Sequence, residues 1–301
     1  MPHDHSHHHV NNYNRAFAIG IGLNIIFVVI EASYGVMADS LALIADAGHN
    51  LSDVISLLLA WGANRLATKH STEKRTYGLR RLTILASLSS AILLLLALGG
   101  IAWEAFGRLF DPQPVEGMII IIVAAIGVVI NTATAMLFMS GQKHDLNIRA
   151  AYLHMAADAG ISLGVVLAGV AILLTGWLWL DPVLSLLIVI VILIGTWNLL
   201  KESVNLSVDA VPESTDIQGI KNYLNGIENV TEFHDLHVWA LSTTETALTV
   251  HLVTTGETID NAFLLDIQQQ LHDKFDIEHV TIQIENMSSE NSCVLNRPEC
   301  I

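Results

Sequence analysis

A chain of 301 residues that is 52% hydrophobic and only 14% charged, with a mean hydropathy of +0.52, departs from soluble globular proteins, in which about 25% of residues are charged. Its 29 acidic against 14 basic residues, a net charge of −15, exclude a nucleic-acid surface built on excess lysine and arginine. The apolar residues are concentrated before residue 200, so the composition points to a polytopic α-helical membrane protein with a polar C-terminal part rather than to a soluble enzyme.

Residues 1–14 read as a polar tail carrying His3, His5, His7, His8 and His9. Such a tract cannot build a core and is expected to be disordered. It is either a weak, fast-exchanging metal collector or a neutral tail. The start, MPHDHSHHHV, lacks the basic n-region and small-residue cleavage site of a secretory signal, so the first membrane helix is expected to act as its own signal.

Residues 15–200 read as a transmembrane domain. Requiring about 20 apolar residues per span predicts six helices, near 15–37, 41–66, 82–108, 115–140, 147–175 and 180–200. Ala38-Asp39-Ser40 makes a tight turn between the first two, and Asp111-Pro112-Gln113-Pro114 breaks the chain between the third and fourth. Trp177 and Trp179 stand where interfacial aromatics belong. Arg65, Lys69, Lys74, Arg75, Arg80 and Arg81 crowd the second loop, Lys143 and Arg149 the fourth, and Lys201 follows the sixth helix, whereas the opposite loops hold acids and, at one helix end, Arg108. The positive-inside rule then puts both termini in the cytoplasm, as for a multi-pass protein of a bacterial inner membrane.

Within this apolar domain the second helix contains His49 and Asp53, and the fifth contains His154 and Asp158. Residues four apart lie on one helix face. A charged group at the bilayer centre costs at least ~3 kcal/mol on insertion scales, so such residues usually mark an ion site, a proton path or a buried pair. Entering from opposite sides at 1.5 Å per residue, the two pairs lie roughly 10–18 Å deep, near the middle of a hydrocarbon layer about 30 Å thick. Two imidazoles and two carboxylates there suit a tetrahedral Zn2+. Histidine titrates near pH 6.5, which makes proton uptake the natural exchange for metal release. One His–Asp pair alone reads equally well as an internal ion pair; the repeated spacing favours a shared ion. Asp46 lies off the His49 face and reads as an access or proton-relay residue or as a structural partner for the first helix. Asn24, Glu31 and Asn131 read as packing hydrogen-bond groups.

The segments SLALIADAGHNLSD and YLHMAADAG, the six expected helices and the later HDLHVWAL resemble the cation diffusion facilitator family of zinc and related divalent-metal transporters. The resemblance covers nearly the whole chain. It implies a homodimer that exchanges cytoplasmic metal, Zn2+ above other divalent cations, for protons by alternating access around His49, Asp53, His154 and Asp158. Histidine rather than aspartate at position 49 implies a preference for zinc over cadmium. The loop after the second helix, ATKHSTEKRTYGLRR, offers His70 amid cations, so no metal site is expected there. The loop after the fourth, SGQKHDLN, has His144 alone, and the N-terminal histidines are candidates for the role of a longer His-rich loop.

Residues 201–301 read as a second domain. DIQGIKNYLNGI has helical spacing, HDLHVWAL and TALTVHLVTT alternate as strands, NAFLLDIQQQLHDKF is an amphipathic helix and HVTIQIE a last strand. The order α-β-β-α-β resembles the family's ferredoxin-like, metallochaperone-like α+β cytoplasmic domain. The resemblance implies a regulatory or dimer-bridging zinc at His234, His251 and Glu285, although Gln283 stands where the bacterial pattern has a further histidine. Cys293 and Cys300 are possible thiolate ligands, read as reduced because a disulfide there would staple little. His237 and Trp239 face away from His234 and read as fold residues, and His272 and His279 as surface. Arg81 and Asp209 match a family charge lock, or else are solvated charges. Two other classes stay open at this point. One is a membrane metal receptor signalling from residues 234, 251 and 285. The other is an intramembrane zinc hydrolase, disfavoured because no HExxH appears.

Overall fold

The structure, a computed structural model, describes residues 14–139, 146–255 and 261–286; the N-terminal histidines, His144, Cys293 and Cys300 lie outside them. Six long helices come first: α1 (Asn14–Met37), α2 (Leu41–Ala67), α3 (Leu82–Phe110), α4 (Gly117–Phe138), α5 (Leu146–Thr175) and α6 (Leu180–Ser207). They are followed by α7 (Ile217–Asn225), β1 (Val230–Ala240), β2 (Thr246–Thr254), α8 (Asn261–Phe275) and β3 (His279–Asn286). Among the described residues, four segments are long and apolar enough to cross a membrane, in α3, α4, α5 and α6, with a shorter apolar stretch at Asn24–Met37 in α1.

The chain groups into two units, residues 1–57 with 92–196, and residues 58–91 with 197–301. In the first, Ala42, Leu43 and Ala45 of α2, Leu98 of α3, Ile120 and Val123 of α4, Val165 and Ile172 of α5, and Ile188 and Ile192 of α6 form one buried cluster. Outward-facing Leu96, Trp103, Leu174 and Ile194 remain exposed, the inverse of a water-soluble bundle and the mark of helices covered by acyl chains. Without a hydrophobic drive between such helices, close approach of small residues supplies the packing. A Cβ on Gly169 of α5 would lie 2.9 Å from Ile121 Cγ1, and one on Gly127 of α4 would lie 2.7 Å from Phe27 Cζ of α1.

The turn between α1 and α2 depends on Asp39, whose φ of 51° is the left-handed conformation that Asn and Asp tolerate best. Arg108 of α3 holds it there, donating from Nη1 to the Asp39 carbonyl at 2.7 Å and from Nη2 to its carboxylate at 2.8 Å. The lone arginine among acidic loops thus has a structural task.

In the second unit the sheet runs β1-β2-β3, with β1 antiparallel and β3 parallel to β2. Helices α7 and α8 bury Ile220, Leu224, Ile267 and Leu271 with Leu248, Val250 and Leu252 of the central strand. Asp216 caps α7 by accepting from the Gly219 N–H at 2.8 Å. Two boundaries differ from the sequence reading. Strand β1 begins at Val230 instead of His234, because Val230 pairs with Thr254 across the ladder. Helix α6 runs on to Ser207, so the domain boundary expected after residue 200 falls inside a helix. The extra turns are held by tertiary contacts: Ser203 Oγ lies 2.9 Å from Ser87 Oγ, and Leu206 packs on Ile84 and Ala240. Arg81 and Asp209 form an ion pair beside them.

A Gly169→Leu chain, overpacked against Ile120 and Ile121, is expected to lose about 1–3 kcal/mol, read as a lower melting temperature in detergent. Gly164→Ala, with nothing within 4 Å of the added Cβ, is expected not to lower it.

Candidate metal centres

Helices α2 and α5 bring His49, Asp53, His154 and Asp158 together in the first unit. The closest contacts run between helices: His154 Nε2 is 3.1 Å from Asp53 Oδ2 and His49 Nε2 is 3.4 Å from Asp158 Oδ1. Within each helix the His–Asp separations are 3.8 Å on α2 and 3.7 Å on α5. The imidazoles meet edge to face, centroids 5.8 Å apart at 81°. Ligands about 2.0–2.1 Å from a tetrahedral zinc are about 3.4 Å from one another; the four N–O separations lie within ~0.4 Å of that value, the two to Asp158 running to different oxygens of its carboxylate. His49, Asp53 and His154 each bring a ligand atom within 4.8 Å of the others; Asp158 stands outside that set and approaches it with one oxygen toward each imidazole. Burial is graded: the Asp158 side chain is 1% exposed, His49 15%, Asp53 28% and His154 41%. The cluster therefore has a deep carboxylate and an open histidine. Asp158 Oδ2 has no hydrogen-bond partner among the described residues.

Asp181 of α6, which the sequence analysis did not single out, fixes where α2 begins. Its carboxylate accepts from the Ser40 hydroxyl, from the Leu41 N–H at 2.8 Å and from the Ala42 N–H at 3.4 Å. A buried carboxylate here satisfies the orphan donors of the helix N-terminus and meets its positive dipole end. Asp46, one turn before His49, accepts from Ser162 of α5 at 3.1 Å. Glu31 of α1 accepts from the Asn50 amide at 3.3 Å. Asn24 Oδ1 and Asn131 Nδ2, expected to make packing hydrogen bonds, find no partner among the described residues.

The second cluster is made by sheet register. His234 and His251 are cross-strand partners on β1 and β2, and Glu285 lies near the end of β3. His251 Nδ1 is 2.8 Å and His234 Nε2 3.3 Å from the Glu285 carboxylate, the two rings stand 5.0 Å apart, and all three offer ligand atoms within 4.8 Å. Gln283, in place of a histidine, donates to Glu285 Oε1 at 3.3 Å and so orients that carboxylate.

The register of β1 shifts between His234 and His237, with Asp235 at a φ of 51°, as at a β-bulge. The bulge turns the Asp235 carboxylate to 3.6 Å from His251 Nε2 and 2.9 Å from His237 Nε2. Sequence reasoning missed Asp235, since strand alternation says nothing of a residue that breaks it. His237 is bonded to Asp235 with its side chain 47% exposed, so it stands at the surface of the fold instead of inside it. His272 and His279 are exposed as expected. His272 is held above its usual range by its hydrogen bond to Asp273, with the Glu278 charge adding.

Ligand-rich side chains between membrane helices, followed by an α/β unit, define an ion carrier rather than an enzyme. The cation efflux transmembrane domain model matches residues 17–206, and the cation efflux protein cytoplasmic domain model matches residues 212–287. The chain therefore belongs to the cation diffusion facilitator, or cation efflux, family, whose members are transporters. It is 39% identical to the metal cation efflux system protein CzcD of Cupriavidus metallidurans over 93% of this chain and 89% of that one. It is 37% identical to the zinc transporter ZitB of Escherichia coli K12 over 95% and 93%, and 36% identical to a cadmium, cobalt and zinc/H(+)-K(+) antiporter of Bacillus subtilis over 91% and 89%. The solved metal-bound C-terminal domain of CzcD aligns with 23% of this chain and 97% of its own length at 41% identity, with a TM-score of 0.22.

Asp181→Ala leaves the first N–H groups of α2 without their acceptor. It is expected to cost about 1–3 kcal/mol, seen as an earlier thermal melt and faster amide exchange at residues 41–44, with Asp181→Asn intermediate.

Proposed function

We propose that the chain exports divalent metal ions, Zn2+ first among them, from the cytoplasm by proton-coupled antiport. Six membrane spans alternate access around a tetrahedral site of His49, Asp53, His154 and Asp158. The observation that carries this reading is the convergence of those four side chains at 3.1–3.8 Å across α2 and α5. Two carboxylates neutralise a dication, so the loaded site is close to uncharged in a medium that penalises charge. Without the ion the same groups are stabilised by protonating the imidazoles, and this makes proton and metal mutually exclusive occupants. Zinc accepts both imidazole nitrogen and carboxylate oxygen; Cd2+, Co2+ and Mn2+ compete for the same donors.

In this reading the chain works as a homodimer in a bacterial inner membrane with both termini in the cytoplasm. The C-terminal ferredoxin-like unit holds a further metal at His234, His251 and Glu285, with Cys293 and Cys300 as possible additional ligands. A receptor that binds metal without moving it would have no use for the helix-borne cluster, and a hydrolase would need a base beside an open coordination position. Four groups already committed to one another leave no such base.

In proteoliposomes, zinc flux is expected to follow an imposed pH gradient and to fall about 100-fold or more in Asp53→Ala and Asp158→Ala, since even outer-shell changes at metal sites cost 10- to 100-fold. Zinc bound at equilibrium with no flux in the unaltered chain would leave the receptor standing instead. His251→Ala is expected to lower the number of zinc ions bound per chain while flux at saturating zinc persists; unchanged metal content counts against a sheet-borne site.

A further inference from the structure

One turn away from the four-ligand cluster, on the same two helices, lies a second buried polar group that the cluster does not use. Asp46 precedes His49 by three residues on α2, and Ser162 follows Asp158 by four on α5, so both stand one turn along from a ligand. Glu31 of α1 completes the group. Glu31, Asp46, Asn50 and Ser162 are all 0% exposed. Asn50, one turn beyond Asp46 on α2, donates to Glu31, which brings the two carboxyl groups to one buried face of that helix. One oxygen of each has a donor: Asn50 Nδ2 to Glu31 Oε2 at 3.3 Å, and Ser162 Oγ to Asp46 Oδ2 at 3.1 Å. The other oxygens, Glu31 Oε1 and Asp46 Oδ1, have no hydrogen-bond partner among the described residues, and neither has Asn50 Oδ1. Phe27, one turn before Glu31 and 0% exposed, packs with Ser162 against Gly127 of α4.

Two ionised carboxylates side by side in such a place would each carry an uncompensated charge and repel the other. No Lys or Arg reaches them among the described residues. The titratable groups that act on them are His49 on α2 and Asp158 on α5, and α4, packed against α1, contributes no ionisable side chain. A single proton between the two orphan oxygens supplies the missing donor to both and leaves one net charge instead of two, the solution seen wherever two carboxyls share a site.

We propose that Glu31 and Asp46 bind one proton between them, outside the set of side chains that faces the metal, and release it when a dication loads that set one turn away. The O–H bond of the pair breaks, its electrons stay on the carboxylate, and the proton leaves to water. The pair passes from one negative charge to two as two positive charges arrive nearby. The link to transport rests on the antiport reading above; the proton-sharing pair does not.

The test uses the full chain in lipid nanodiscs with zinc as the probe. Infrared pH-difference spectra of the zinc-free chain are expected to contain the carbonyl band of a protonated carboxyl, and to lose it in both Glu31→Gln and Asp46→Asn. Zinc titrations in buffers of different ionisation enthalpy are expected to give about one proton fewer released per zinc in either variant, with zinc still bound. Absence of the band from the unaltered chain, or its survival in both variants, overturns the proposal. So does a spectrum that responds to sodium or potassium instead of pH, which would put a monovalent cation between the carboxylates. The unaltered chain decides the matter even where a variant fails to fold. Zinc flux that survives Asp53→Ala would sink the antiport reading without touching the band.

Discussion

An ionised carboxylate inside a membrane bundle must find compensating charge or donors within the protein, because no water or counterion is at hand to supply them. The first unit of this chain meets that constraint in three ways. Asp181 rests on the N-terminus of α2, where a hydroxyl and two backbone N–H groups answer it. Asp158, the most buried of its cluster, lies against two imidazoles. Glu31 and Asp46 share a buried face with Asn50 and Ser162. The first arrangement is permanent, since a helix dipole cannot be removed. The other two set titratable side chains beside one another, a contact that does not depend on a helix end.

The packing around these groups follows from the same constraint. Polar side chains from α1, α2 and α5 meet only if the helices approach closely, and glycine at 127 and 169 makes room where any Cβ would collide. Arg108 plays the corresponding part at the α1–α2 turn, holding Asp39 in a conformation that sets where α2 starts. Residues without a part in the chemistry thus determine the positions of His49 and Asp53.

The two candidate centres are built on different periodicities. On the helices, a spacing of four brings histidine and aspartate onto one face, and the contact between helices completes the set. In the sheet, His234 faces His251 because the strands pair there, and Glu285 arrives from a third strand. The bulge at Asp235 adds a carboxylate on the other side of His251. The relatives, CzcD and ZitB among them, match along nearly the whole chain, so the helical and the sheet-borne part both lie within the matched length.

The family, the helical class and the four ligand candidates were legible in the chain, because composition and the repeated His-x-x-x-Asp spacing are local properties that a lipid environment makes costly to fake. The first and last residues of the six long helices came within a few positions, except where α6 runs on to Ser207 on contacts with Ile84, Ser87 and Ala240, which no local pattern contains. Sequence could mark Glu31 and Asp46 as misplaced polar groups but not join them, since they lie on different helices and meet only through the crossing of α1, α2 and α5. Asp235 stayed hidden for a related reason: a bulge depends on how one strand registers against another. What the residues determined by themselves was which side chains must be compensated; which group compensates which was decided by tertiary structure, because charge pairing acts through space and the chain order does not encode distance.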